Sequence, residues 1–152
     1  MQILFICTGN TCRSPMCEGY FRSLCEKAGR NDVNVVSAGV MADFNSAPSP
    51  NAVRTMERFG IDISGLRSTP LTPELLEKSD IIITMTPSHA QGVETVLASA
   101  LGRTFNLMQF SSGGPPAVND PFGGNESDYE QCFYQMKEAL DNLFLDMDKF
   151  KL

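Results

Sequence analysis

The sequence predicts an α/β domain, a four- or five-stranded parallel sheet with helices on both faces. Three observations lead there. Short apolar runs, MQILFIC at the start and DIIITM at 80–85, have the unbroken hydrophobicity of strands buried on both faces. Segments with helical spacing separate those runs. Gly or Pro stands at almost every junction between the two kinds of segment.

Gln2 to Cys7 is the first strand. Thr8 to Arg13 is a small, polar loop, and Ser14-Pro15 opens a helix, since Pro is tolerated in a first helical turn. Met16, Tyr20, Leu24 and Ala28 recur at helical spacing, and Gly29 ends the helix. Val33 to Ala38 is the second strand, closed by Gly39. A loop over 40–50 leads to a helix from about Asn51 to Phe59, stopped by Gly60. Thr72-Pro73-Glu74 starts a short helix. Asp80 to Met85 is the third strand, and Pro87 opens a helix running to about Ala100. Thr104 to Met108 is the fourth strand, followed by a Gly- and Pro-rich loop from Ser111 to Gly124. The last helix, Ser127 to Phe150, carries Phe133, Met136, Leu140, Leu143, Met147 and Phe150 on one stripe. Its other face, with Asp128, Glu130, Glu138, Asp141 and Asp146, is expected to be solvated. A flavodoxin-like strand order, 2-1-3-4-5, fits this alternation. Such sheets bind ligands beyond the carboxyl ends of their strands, where the first strand meets its helix.

The 152 residues suit one domain, 1–152, without linker or repeat. Twelve basic against 18 acidic residues give a net charge of −6, which disfavours nucleic acid and anionic membranes as partners. No apolar run approaches the roughly 20 residues of a membrane span, and the first residues do not read as a signal peptide. Five cysteines (Cys7, Cys12, Cys17, Cys25 and Cys132) with one histidine suit neither a disulfide framework nor a zinc site. A reducing, cytoplasmic location and no metal or cofactor are expected.

The chemistry concentrates in Cys7-Thr8-Gly9-Asn10-Thr11-Cys12-Arg13-Ser14. A tight strand-to-helix loop turns backbone N–H groups inward, forming a nest for a dianion that the helix dipole reinforces. Gly9 and Asn10 tolerate the positive φ such a loop needs. Cys7, facing these donors and Arg13, is expected to have a depressed pKa and to act as a thiolate. Arg13 can hold phosphate oxygens through two parallel hydrogen bonds.

The form CTGNTCRSP, with Asp120-Pro121 late in the chain and Ser37-Ala38-Gly39 after the second strand, resembles the low-molecular-weight protein tyrosine phosphatase family. The resemblance spans essentially the whole chain. It implies that Cys7 is the nucleophile of a cysteinyl-phosphate route, that Arg13 and the backbone of Thr8 to Arg13 bind the phosphoryl oxygens, and that Asp120 acts as acid and then base. It also implies that Ser14 hydrogen-bonds the thiolate and that Asn10 braces the loop. No metal is called for, because the fixed cradle supplies the charge stabilisation. The implied partners are phosphorylated proteins, acted on by a monomer.

Thr11 occupies a position commonly aliphatic in tyrosine-directed relatives, and Phe122-Gly123-Gly124 replaces further aromatics after Asp120-Pro121. Both features resemble the family's bacterial protein-arginine phosphatases. The Thr11 hydroxyl can accept a hydrogen bond from a guanidinium or position a water. Asp120 can bond the same group, and Phe122 can pack on its plane. Phosphoarginine is therefore the expected substrate group and phosphotyrosine the alternative. Arsenate reductase uses the same fold with extra thiols, and Ser79 to Gly92 contains none. A redox-sensing phosphate-binding module is a further class, in which Cys12 captures an oxidised Cys7 as a disulfide. Asp120 is useless to a mere binder, which favours an enzyme that is also redox-regulated. Cys17 is the next candidate partner thiol. Cys25 and Cys132 are expected to have no role, and His89 is expected to be a surface or capping residue.

Overall fold

The computed structural model describes residues 1–150. Its sheet contains β1 (Gln2–Cys7), β2 (Asn34–Gly39), β3 (Ile81–Thr84) and β4 (Thr104–Asn106) in the order β2-β1-β3-β4, all parallel. This is the expected order as far as its fourth strand. No fifth strand forms among the described residues. After Asn106 the chain tightens into a 3-10 turn, Leu107–Phe110, and then enters the Gly/Pro-rich loop. Pro there lacks the N–H a ladder needs, and Gly lacks a side chain to pack.

The helices are α1 (Arg13–Lys27), α2 (Pro50–Glu57), α3 (Pro73–Lys78), α4 (Pro87–Val96) and α5 (Glu126–Asp146). Local chemistry sets their ends. Thr72 accepts the Leu75 amide to start α3, Asn125 accepts the Asp128 amide to start α5, and Gly29 and Gly60 take positive φ past α1 and α2. Both longer predicted helices finish early, α4 passing into the turn Ala98–Arg103 and α5 into Met147–Phe150. Tight terminal turns of this kind are common at helix ends.

One core lies between the sheet and α1, α2 and α5, with Phe5, Phe21, Met16, Met56, Phe133 and Leu140 fully buried. A smaller one lies on the other face, built from Leu4, Ile6, Leu76, Ile82 and Val93. Phe133, Met136, Leu140, Leu143 and Met147 of the predicted stripe are buried. The opposite face is less solvated than expected. Glu130 pairs with Arg58, Asp141 with Lys137 and the Tyr20 hydroxyl, and Glu138 accepts the Ser112 amide. These contacts tie α5 to α1, α2 and the preceding loop. No described helix is long and apolar enough to cross a membrane. The carboxyl end of β1, at the centre of the sheet, delivers Cys7 to a rim between β2 and β3.

Candidate active site

Cys7 to Ser14 curls from β1 into α1 around a cavity of about 210 Å³. The cavity is lined by Cys7, Thr8, Gly9, Thr11, Cys12, Arg13, Asp120 and Phe122. The loop is bound to its surroundings on every side. Asn10 sits at φ 57°, a left-handed conformation that Asn tolerates better than most residues. Its Nδ2 donates to Ser14 Oγ at 2.8 Å and to Ser37 Oγ at 2.9 Å, while its Oδ1 accepts the Thr69 amide at 2.9 Å. These bonds tie Asn10 to α1, to β2 and to the strand-to-helix segment before α3, the bracing that the family resemblance implies. The segment after β2 lies along the same loop, its Val40, Met41 and Ser49 amides donating to the carbonyls of Cys7, Thr8 and Thr11. Gly39 permits that approach, for a Cβ there would stand 2.5 Å from the Thr8 carbonyl oxygen and 3.0 Å from the Asn10 nitrogen.

Cys7 is 3% exposed. Ser14 Oγ lies 2.9 Å from its sulfur and the Asn10 amide donates to it at 3.3 Å. Ser14 Oγ also accepts from Asn10, and when Cys7 is ionised the Ser14 hydroxyl is the partner that donates to the sulfur. Burial nevertheless has the largest influence and pushes the thiol pKa up. The Ser14 hydroxyl and amide, the Arg13 charge and the Asn10 amide all act against it. The net direction reverses the sequence expectation, because the fold that supplies the donors also strips water from the sulfur.

Arg13 is also buried. Its Nη1 donates to the Val118 carbonyl at 3.1 Å, and its Nη2 lies 3.4 Å from Thr8 Oγ1 and 3.5 Å from Asp120 Oδ2. The carboxylate of Asp120 is about half exposed at the mouth, and its Oδ1 accepts the Phe122 amide at 3.1 Å. Phe122 is 74% exposed. Thr11 lines the cavity between these two sides, its hydroxyl making only a long contact, 3.8 Å, with Cys12 Sγ.

The other thiols differ sharply in setting, and all five are free. Cys12 Sγ lies 3.0 Å from Ser49 Oγ and 3.3 Å from Tyr129 Oη. Cys17 is sealed between Met85 Sδ at 3.7 Å and Met136 Sδ at 3.4 Å, and burial pushes its pKa well up. Cys25 and Cys132 are buried too, with pKa values raised to about 11 and about 12. His89 caps α4, as expected, but it is not on the surface. It is 4% exposed and its Nε2 lies 3.0 Å from Thr8 Oγ1. The capping position was readable from Pro87, which opens the helix two residues before His89. The contact with Thr8, 81 residues away, left no sequence signal. The bracing by Ser37, Thr69 and Gly39 is equally non-local.

The family model described as "Low molecular weight phosphotyrosine protein phosphatase" matches residues 2–151. The chain belongs to this family. It is 41% identical over 153 residues to the protein-arginine-phosphatase of Bacillus subtilis (strain 168), covering 98% of both chains. It is 28% identical over 144 residues to the low molecular weight protein-tyrosine-phosphatase PtpA of Staphylococcus epidermidis, covering 94% of this chain and 91% of the relative. Among solved structures it is similar to a Cys-to-Ser mutant of the YwlE arginine phosphatase with a phosphorylated active site serine. There the TM-score is 0.91 at 38% identity, covering 98% of this chain and 97% of the other. This low-molecular-weight phosphatase is therefore a phosphate-ester or phosphoramidate hydrolase. The phosphorylated residue in that relative accords with a route through cysteinyl-phosphate.

Proposed function

We propose that the chain hydrolyses phosphoarginine on proteins, with residues 1–152 acting as one phosphatase domain. The carrying observation is the Thr11 hydroxyl on the cavity wall, in a lining shared with Asp120 and Phe122. An oxygen acceptor there suits a guanidinium, which presents N–H groups in a plane. An aliphatic side chain would suit a phenyl ring. The similarity to a protein-arginine-phosphatase supports the same reading.

In the proposed reaction Cys7 gives up its proton to solvent before the step, and its thiolate Sγ attacks phosphorus in line with the leaving nitrogen. The S–P bond forms as the N–P bond breaks, and Asp120 gives its proton to the departing guanidine. The phosphoryl oxygens lie against the inward amides of Thr8 to Arg13 and the Arg13 guanidinium. Asp120, now ionised, takes a proton from water as it attacks the cysteinyl-phosphate. Inorganic phosphate leaves and Cys7 is restored. Phosphotyrosine is the second reading, favoured by the exposed Phe122 ring at the mouth.

Cys12 is the proposed redox partner. Peroxide would convert the Cys7 thiol to a sulfenic acid with release of water, and Cys12 would displace a second water to form the disulfide. Five free thiols support a reducing, cytoplasmic setting, and relatives such as the Bacillus subtilis enzyme support a bacterial one. The net charge of −6 supports protein partners rather than nucleic acid or anionic membranes, and the chain is proposed to act as a monomer.

Matched phosphoarginine and phosphotyrosine peptides, with the Cys7→Ser protein as blank, test the substrate assignment. The expected result is a higher kcat/KM on phosphoarginine, with Thr11→Ile shifting the ratio toward phosphotyrosine by about tenfold or more. An unchanged ratio in Thr11→Ile would remove Thr11 from specificity.

A further inference from the structure

His89 is a buried, titratable group on a helix otherwise outside the reaction, and its ring links that helix to the phosphate loop. Its hydrogen placement follows from its partners. Nδ1 lies 3.2 Å from the Thr86 amide, which can only donate, so Nδ1 carries no hydrogen. The neutral ring then bears its hydrogen on Nε2, which donates to Thr8 Oγ1 at 3.0 Å. Burial first, and then the Arg13 charge, lower the His89 pKa to about 4, with Asp120 acting in the opposite direction. The ring is therefore neutral in the working range.

Thr8 Oγ1 also faces Arg13 Nη2, at 3.4 Å, and a guanidinium is likewise only a donor. Two donors occupy the two acceptor sites of this hydroxyl. Its own hydrogen is left to donate, and Thr8 lines the cavity.

We propose that His89 is a positioning residue that fixes the Thr8 hydroxyl as a donor to the phosphoryl group, adding a side-chain donor to the backbone cradle. His89 touches no substrate atom and acts through Thr8, which it also holds against Arg13. The inference rests on the phosphatase reading of the loop and is indifferent to whether arginine or tyrosine leaves.

The ring's two nitrogens have separable duties, and two isosteric variants divide them. His89→Asn keeps an acceptor near the Nδ1 position and loses the reach to Thr8. His89→Gln places an N–H near the Nε2 position and loses the cap. The measurements are kcat/KM for p-nitrophenyl phosphate, the Kd of inorganic phosphate and Tm. His89→Asn should hold its Tm and lose about tenfold in kcat/KM, with phosphate bound several-fold more weakly, as expected for one hydrogen bond to a charged group. His89→Gln should lose Tm and stay within about threefold of the parent in both functional readings. In a Thr8→Val background, His89→Asn should cost nothing further. Loss of activity that follows Tm across the two variants would overturn the proposal, as would an undiminished effect of His89→Asn in Thr8→Val. A parent protein that binds phosphate without turning over substrate would contradict the catalytic reading instead, while its phosphate Kd would still test His89.

Discussion

The two halves of the cavity are built on opposite principles. From Cys7 to Ser14 most of the chain is buried, with Thr8, Gly9 and Thr11 half-buried on the cavity wall, and its buried polar side chains are hydrogen-bonded to neighbours on β2, the loop before α3 and the start of α1. From Asp120 to Gly124 the chain is more open, with Asp120 half exposed, Phe122 and Gly123 exposed, Gly123 at positive φ, and only Pro121 of the five buried. In the proposed reaction the first half meets the part common to every substrate, a tetrahedral phosphoryl group, whose charge is best held by dipoles that need not reorganise. The second half meets the leaving group and the protein that carries it, which vary. Rigidity is concentrated where the chemistry is invariant, and exposure where substrate identity is decided.

The largest break in this comparison should come from the open half. Asp120→Asn removes the proposed proton donor and base and leaves every side chain of the Cys7–Ser14 loop in place. It should lower kcat on phosphoarginine peptides by about 10²–10⁴-fold with little change in phosphate Kd. An equal fall in phosphate affinity would mean that Asp120 supports the cradle rather than the leaving group.

Gly39→Ala attacks the buried half without touching a reacting group. Its Cβ would stand 2.5 Å from the Thr8 carbonyl oxygen. Overpacking of this kind costs about 1–3 kcal/mol. Chemical denaturation should show that loss, and phosphate should bind more weakly because Thr8 and Asn10 are displaced. An unchanged phosphate Kd would show the loop to be more compliant than its hydrogen bonds suggest.

A smaller effect is expected from Ser14→Ala. The Ser14 hydroxyl opposes the rise that burial imposes on the Cys7 pKa. Its removal should raise that pKa further, since the thiolate loses a donor. The rising limb of kcat/KM with pH should then move to higher pH. A shift to lower pH would mean that Ser14 stabilises the thiol rather than the thiolate.

The buried half was legible in large part because its signals are local. Residue types that tolerate left-handed backbone, a thiol closing an apolar strand and an Arg at the start of a helix lie within eight positions. The direction of the Cys7 pKa was misread because the sequence shows the donors but not the loss of water around them. Ser37, Gly39, Thr69 and His89 were missed as supports because each reaches the loop across the fold. Asp120 carries almost no signal alone, as Asp-Pro is a common turn dipeptide. Only its pairing with the loop singled it out, and the structure places it 3.5 Å from Arg13. β1 and β3 were readable from unbroken apolar runs, whereas the fourth strand, expected to reach Met108, stops at Asn106, and the final turns of α4 and α5 were not readable, because a helical pattern does not distinguish a tight turn from an ordinary one.

The division of labour between Cys7 and Asp120 is most directly tested by trapping the intermediate. Asp120→Asn should be mixed with p-nitrophenyl phosphate, quenched in milliseconds and mapped by mass spectrometry. Its leaving group needs little help from an acid, so the first step should proceed while hydrolysis stalls. The account predicts a burst of nitrophenolate matched by a phosphoryl group on Cys7, absent when Cys7 is also replaced by Ala. Turnover without a phosphorylated Cys7, or a phosphoryl group on any other residue, would contradict it.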